Sequence, residues 1–136
     1  MFAQDTTIMK SNRGQRSVLL VVDDNSNVAE ATKHRMVHKF DSVFTATDPH
    51  KATQILEENS VSHILCGLNL GLDDSRLNGF MFSSFWKSEF PSIKRIVILT
   101  GEDICDQTIP LDIDAVIPKT TSVEALAKAL LVWDGR

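Results

Sequence analysis

Residues 18–22, Val-Leu-Leu-Val-Val, form an unbroken apolar run closed at once by Asp23 and Asp24. A strand with one face in water alternates apolar and polar side chains, so a run without polar interruption predicts a strand buried on both faces. Such strands belong to parallel sheets, and these need a covering helix in each crossover between neighbours. Similar short runs recur at His63–Gly67 and Arg95–Leu99, with briefer ones at Ser42–Thr45 and Ala115–Ile117.

Helical spacing fills the gaps between them. From Asn25 to Phe40, Val28, Thr32, Met36 and Phe40 fall four apart, with Glu30, Lys33 and Lys39 off that stripe. Asp48-Pro49 supplies an N-cap followed by proline in the first turn, ahead of an inward stripe of Ala52, Ile55 and Leu56. Gly79 to Phe90 carries Phe82, Phe85, Trp86 and Phe90 at helical spacing, and Pro91 stops it. Thr121 and Glu124 make a capping box for a last helix that buries Val123, Leu126, Ala127, Leu130 and Leu131. Five strands, each but one followed by a clear helix, predict an α/β sheet with helices on both faces. The functional crevice of such sheets lies beyond the carboxyl ends of the strands. The ends to inspect are Asp23, Gly67, Thr100 and Lys119.

A chain of 136 residues suits one domain, here 17–136, after a mostly polar arm at 1–16. The formal net charge of -4, without a long basic run, argues against wrapping nucleic acid or an anionic membrane surface, and leaves a protein as the expected partner. Cys66 and Cys105 match neither a disulfide framework nor a metal-ligand spacing, and read as reduced thiols. No apolar run is long enough to span a bilayer, and Met1–Lys10 lacks the features of a signal peptide, so a cytoplasmic location is expected.

Taken in order, the strand ends resemble those of response regulator receiver domains from two-component signalling, over roughly residues 17 to 133. Val-Val-Asp23-Asp24-Asn25 is similar to the acidic pair that holds magnesium in that family. Leu99-Thr100-Gly101 resembles its hydroxyl-bearing end of strand four, and Ile117-Pro118-Lys119 the lysine end of strand five. The resemblance implies a flavodoxin-like doubly wound sheet of five parallel strands in the order 2-1-3-4-5. Where the family carries its phosphoacceptor aspartate, at the end of strand three, this chain has Gly67.

That departure removes the nucleophile, since in the family an aspartate carboxylate attacks a phosphohistidine while lysine, hydroxyl and metal neutralise the phosphoryl charge. The family's aromatic switch position is Val116 here. The stretch from Gly101 to Asp114, the place of the family's fourth helix, is short and contains Pro110. The loop Asn69–Asn78 is longer than the family norm and offers Asp73 and Asp74, either as a substitute acceptor or as partner contacts in a private recognition loop, ahead of Asn78-Gly79, which resembles the family's turn into helix three.

Several of these residues also have plain structural readings. Asp23 and Asp24 form either a weak Mg²⁺ site or an acidic strand end satisfied by helix N-termini and water, the latter favoured. Lys119 is expected to turn to them as countercharge, and Thr100 is either a pocket remnant or a good β residue. Gly67 is either a close-approach glycine or a lost acceptor. Four rings in seven residues exceed one buried stripe, which leaves Phe80 or Trp86 for the surface as a partner contact; Trp133 is open between the same two readings. His34 and His38 have metal-compatible spacing but no third ligand, and read as solvated surface.

The resulting expectation is a non-enzymatic pseudo-receiver without cofactor and without an output domain. It docks a kinase, another regulatory or motility protein, or its own copy. The alternatives are a phosphotransfer receiver that uses Asp73 or Asp74, with Mg²⁺ at Asp23 and Asp24, and a small-ligand sensor that uses the space at Gly67.

Overall fold

The computed structural model describes residues 17–70, 78–101, 109–119 and 122–131. Five strands alternate with helices: β1 Val18–Val22, α1 Ser26–Met36, β2 Ser42–Ala46, α2 Pro49–Glu58, β3 His63–Gly67, α3 Asn78–Glu89, β4 Arg95–Thr100, β5 Ala115–Pro118 and α4 Val123–Leu131. All strand pairs are parallel, and the sheet order is β2-β1-β3-β4-β5. The α/β alternation is the one expected from the run pattern, and the strand order is the flavodoxin-like one that the family resemblance implied.

The central strands are apolar throughout because both of their faces are covered. Leu20, Val22, Ile64, Cys66, Ile96 and Ile98 point to one side, against Ala52 and Leu56 of α2 and Phe80 and Trp86 of α3. Leu19, Val21, Leu65, Val97 and Leu99 point to the other, against Ala29 and Met36 of α1 and Leu126 and Leu130 of α4. Side-chain alternation along each strand thus feeds two separate cores from one sheet. At the strand starts, Asp114 accepts the Ile96 N–H at 2.7 Å and meets Lys87 at 3.2 Å and Arg95 at 3.6 Å, which ties α3, β4 and β5 together.

Helix boundaries differ from expectation at two places. α1 ends at Met36, four residues short of Phe40, with the Lys39 N–H turned back to the Met36 carbonyl. The physical reason is register: Ser42 must pair beside Val18, so residues 37–41 are needed for the connection. Phe40 is buried all the same, edge-on to His63 with ring centroids 5.4 Å apart. At α4 the cap is Ser122, whose hydroxyl accepts the Ala125 N–H at 3.2 Å and whose carbonyl accepts the Leu126 N–H. The expected Thr121–Glu124 box is therefore one residue out, and Thr121 itself lies outside the described residues. Asp48 caps α2 as expected, accepting the Lys51 N–H at 2.8 Å, with Pro49 in the first turn.

The stripe of α3 is also corrected. Phe80 and Trp86, one of which was expected at the surface, are both buried. Residues 79, 80, 83, 86 and 90 follow the three-and-four spacing of a single face, and the sheet lies under that face. Met81 and Phe85, one turn apart on the other side, are 60% and 49% exposed, so the surface-facing ring is Phe85. No helix among the described residues is long and apolar enough to cross a membrane.

Candidate functional site

Parallel pairing brings the carboxyl ends of β1, β3, β4 and β5 to one rim. The Lys119 N–H donates to the Thr100 carbonyl at 2.9 Å, Leu68 N–H to the Leu99 carbonyl at 3.2 Å, and Asp23 N–H to the Ala46 carbonyl at 3.1 Å. An open cleft of about 260 Å³ lies there, lined by Leu68, Asn69, Leu99, Thr100, Gly101 and Lys119. Asp23, Gly67, Thr100 and Lys119 are thus assembled from four strands.

Asp23 is buried and Asp24 exposed. One Asp23 oxygen, Oδ1, accepts the Asn25 N–H at 2.9 Å; the other, Oδ2, lies 4.0 Å from the half-exposed Nζ of Lys119. Asn25 also caps α1, accepting the N–H groups of Asn27 and Val28, so one short turn both starts the helix and holds the acid. Burial raises the Asp23 pKa above its ordinary value of 3.8; the Asn25 hydrogen bond, and then Lys119, oppose that, and Asp24 adds to it.

A folded-state pKa above the unfolded one means that the folded protein binds the extra proton between the two values. Stability from this group is therefore full at acid pH, below 3.8, and falls as pH rises through the folded pKa. Asp23→Asn, which keeps an oxygen for the Asn25 N–H and gives up only a long contact to a half-exposed lysine, is expected to be more stable than the parent near neutral pH. The gain should vanish on acidification, in urea titrations from about pH 4 to about pH 8. A gain that grew toward acid would contradict the sign of the shift.

Gly67 ends β3 directly beside Asp23. A Cβ built there would meet Asp23 Oδ2 at 3.7 Å, the Val22 carbonyl at 3.7 Å and the Asn69 carbonyl at 3.8 Å, and its φ lies outside the left-handed region. These are ordinary contacts, so no close approach demands glycine at this position. Gly79 is the glycine that packing demands: its own Cβ would overlap the Gly67 carbonyl oxygen and come within 2.8 Å of the Leu68 carbonyl. Its N–H donates to that Leu68 carbonyl at 2.7 Å, seating the first turn of α3 on the end of β3. The Asn78-Gly79 pair was legible as a turn into the helix, but not as this contact.

Beneath Gly67, the buried Cys66 thiol donates to the Gly67 carbonyl at 3.3 Å, and burial pushes its pKa up to about 12. It therefore stays protonated and is no nucleophile. Val116 pairs beside Ile98 and sits half-buried on the α2/α3 face of β5. Residues 109–114 form a turn closed by Ile113 N–H to the Pro110 carbonyl, with Leu111 exposed at its tip. His34 is on α1 and exposed, whereas His38 falls beyond the end of that helix. Asp73, Asp74, Cys105, Trp133 and the arm at 1–16 lie outside the described residues.

No protein-family model matches the chain, and no curated protein matches it. Solved structures do. A response regulator from Burkholderia pseudomallei, which holds a phosphorylated aspartic acid and a calcium ion, is 24% identical, with a TM-score of 0.71 over 84% of this chain. A response regulator receiver domain from Clostridium thermocellum is 22% identical, with a TM-score of 0.69 over 83% of this chain and 90% of its own. RcsB from Salmonella enterica, bound to promoter DNA, is 19% identical, with a TM-score of 0.70 over 85% of this chain. The chain spans 66% of the Burkholderia protein and 66% of RcsB. At these identities the likeness is one of fold: the molecule has the fold of receiver domains.

Proposed function

We propose that this chain is a receiver-fold signalling module that acts by docking a protein, with no phosphoryl transfer at its strand-end site and no catalysis of its own. One observation carries the reading. The end of β3 lies beside Asp23 and admits a Cβ without a clash, and the residue there is glycine, which supplies no nucleophile. Lys119 lies beside Asp23, as a countercharge would when no phosphoryl group competes for it.

The neighbouring carboxylates are a poor magnesium set. Mg²⁺ takes near-octahedral oxygen ligands and is commonly shared with phosphate. Here Asp23 already accepts a backbone N–H and faces Lys119. No group of three or more His, Cys, Asp or Glu that could hold a metal occurs among the described residues. We therefore assign no cofactor role to Asp23 and Asp24.

The test is intact-mass analysis after incubation with a small phosphoryl donor and Mg²⁺. The parent should stay unmodified. Gly67→Asp, whose Cβ is accommodated without a clash, should gain one phosphoryl group in a hydroxylamine-labile form, the signature of an acyl phosphate. A phosphorylated parent would overturn the proposal and direct attention to Asp73 or Asp74 as substitute acceptor.

A further inference from the structure

The outer side of α3 carries Met81 and Phe85, both exposed and one turn apart on a single stripe, with Phe82 three residues before Phe85 and so next to it. Phe82 is half-buried and forms one wall of an open groove of about 460 Å³, whose other lining residues, Asp48, Pro49, His50 and Thr53, belong to α2 and its cap. Thr53, the hydroxyl in that lining, already accepts the Trp86 N–H and donates to the Pro49 carbonyl. On the other flank the Ser84 hydroxyl donates to Asp112 at 2.8 Å, which brings the turn bearing the exposed Leu111 alongside the helix. Three of the four large apolar side chains exposed among the described residues thus lie on or next to α3, and a grouping of that kind marks a contact surface.

The stripe itself is without charge. From Asn78 to Trp86 the helix has no acidic or basic residue. Lys87 turns aside to Asp114 at 3.2 Å, Glu89 stands at the far end, and Asp48 and Asp112 sit one on each flank. A partner that brought charges onto the stripe would lose their hydration and find no counterpart there, so the surface that fits is apolar and uncharged. The stripe has that chemistry itself, and its order along the helix suits a twofold. Set antiparallel and level at Ser83, two copies place each Met81 opposite the other's Phe85, which gives two favourable contacts between thioether and ring. The same setting keeps the two Glu89 residues about 18 Å apart along the axis, beyond a Debye length of about 8 Å. A parallel setting would put them side by side.

We propose that this face docks a second copy of the chain, with the two α3 helices antiparallel about a twofold axis and Met81 of each against Phe85 of the other. An apolar helix of another protein, or a lipid surface, lacks the reciprocal match that sets the register here. A contact built on one helix face is small beside the roughly 800 Å² per partner of a standard interface, so the dimer is weak, with a Kd on the order of 100 µM.

This rests on the docking part of the proposed function and names the docked protein as a second copy. It is tested without any phosphoryl donor, so a phosphorylated parent would sink the non-transfer part and leave this standing, and a monomeric parent would do the reverse. Sedimentation equilibrium of the parent from about 10 µM to about 1 mM, with ¹⁵N amide shifts recorded over the same range, should show dimerisation. The shifts should centre on residues 78–89. Phe85→Glu and Met81→Lys should each weaken association at least about tenfold, while Val37→Glu, at the end of α1 on the other face of the sheet, should not. An equimolar mixture of Phe85→Glu and Met81→Lys should associate more tightly than either alone, because the twofold sets the introduced charges opposite one another. A Leu-Ser amphipathic peptide and phosphatidylcholine vesicles are titrated beside these into the parent at about 10 µM, where it is monomeric. The shift map uses the parent protein and does not depend on how the variants fold. A parent that stays monomeric throughout, whether or not the peptide or the vesicles bind the same residues, would overturn the proposal. So would shifts centred elsewhere, a Phe85→Glu variant that associates like the parent, or a mixture no tighter than its components.

Discussion

Replacing Trp86 by alanine is expected to lower the unfolding free energy by about 3–5 kcal/mol, the range for emptying a large aromatic site in a core. Trp86 is fully buried between the sheet and α2, its indole N–H donates to the Thr53 hydroxyl at 2.9 Å, and its ring lies 5.9 Å from that of Phe82. Thr53 in turn donates to the Pro49 carbonyl at 2.9 Å, so the indole closes a short chain that joins α3 to the first turn of α2. Trp86→Phe keeps most of the apolar area and loses the hydrogen bond, and should cost about 1–3 kcal/mol. Domains of this size hold only about 5–15 kcal/mol in total, so the alanine variant should lose a large share of its stability. Urea denaturation of both variants measures this, and a loss below about 1 kcal/mol for Trp86→Ala would mean that the site is not packed as described.

The second large effect belongs to Gly79. An added Cβ would overlap the carbonyl oxygen of Gly67 and lie 2.8 Å from the Leu68 carbonyl and 2.9 Å from its Cα. All three are backbone atoms, so no side-chain rotation relieves the contact; the first turn of α3 or the end of β3 must move. Gly79→Ala should therefore cost about 3 kcal/mol or more, at the upper end for overpacking. Gly67→Ala is the matched comparison. Its Cβ meets nothing closer than 3.7 Å, and the change should stay within about 1 kcal/mol. Equal melting curves for the two alanine variants would refute the seating of α3 on β3.

That pair also marks how far the sequence could be read. In sequence Gly67 drew attention because of what a similar family has in its place, and Gly79 only as a turn signal. Whether either one has to be glycine depends on which backbone passes within 3 Å of it, a distance that no one-dimensional pattern contains. The aromatic residues of α3 behave likewise. Periodicity found the helix, but with rings on several of its sides it left open which would lie on the sheet, and it offered Phe80 or Trp86 to the surface where packing exposes Phe85. The length of α1 was misjudged because a four-residue stripe runs on through Phe40, while the need to bring Ser42 beside Val18 ended the helix earlier.

Local chemistry alone determined the alternation of strand and helix, the burial of β1, β3 and β4 on both faces, and the gathering of Asp23, Gly67, Thr100 and Lys119 at one rim. An unbroken apolar strand has only one environment open to it, and parallel pairing leaves its carboxyl end at the same edge as its neighbours'. Tertiary structure alone decided that Gly67 admits a Cβ, that Gly79 does not, and that Met81 and Phe85 face outward. Those outcomes depend on distances between residues far apart in the chain, which packing sets only after the elements have formed.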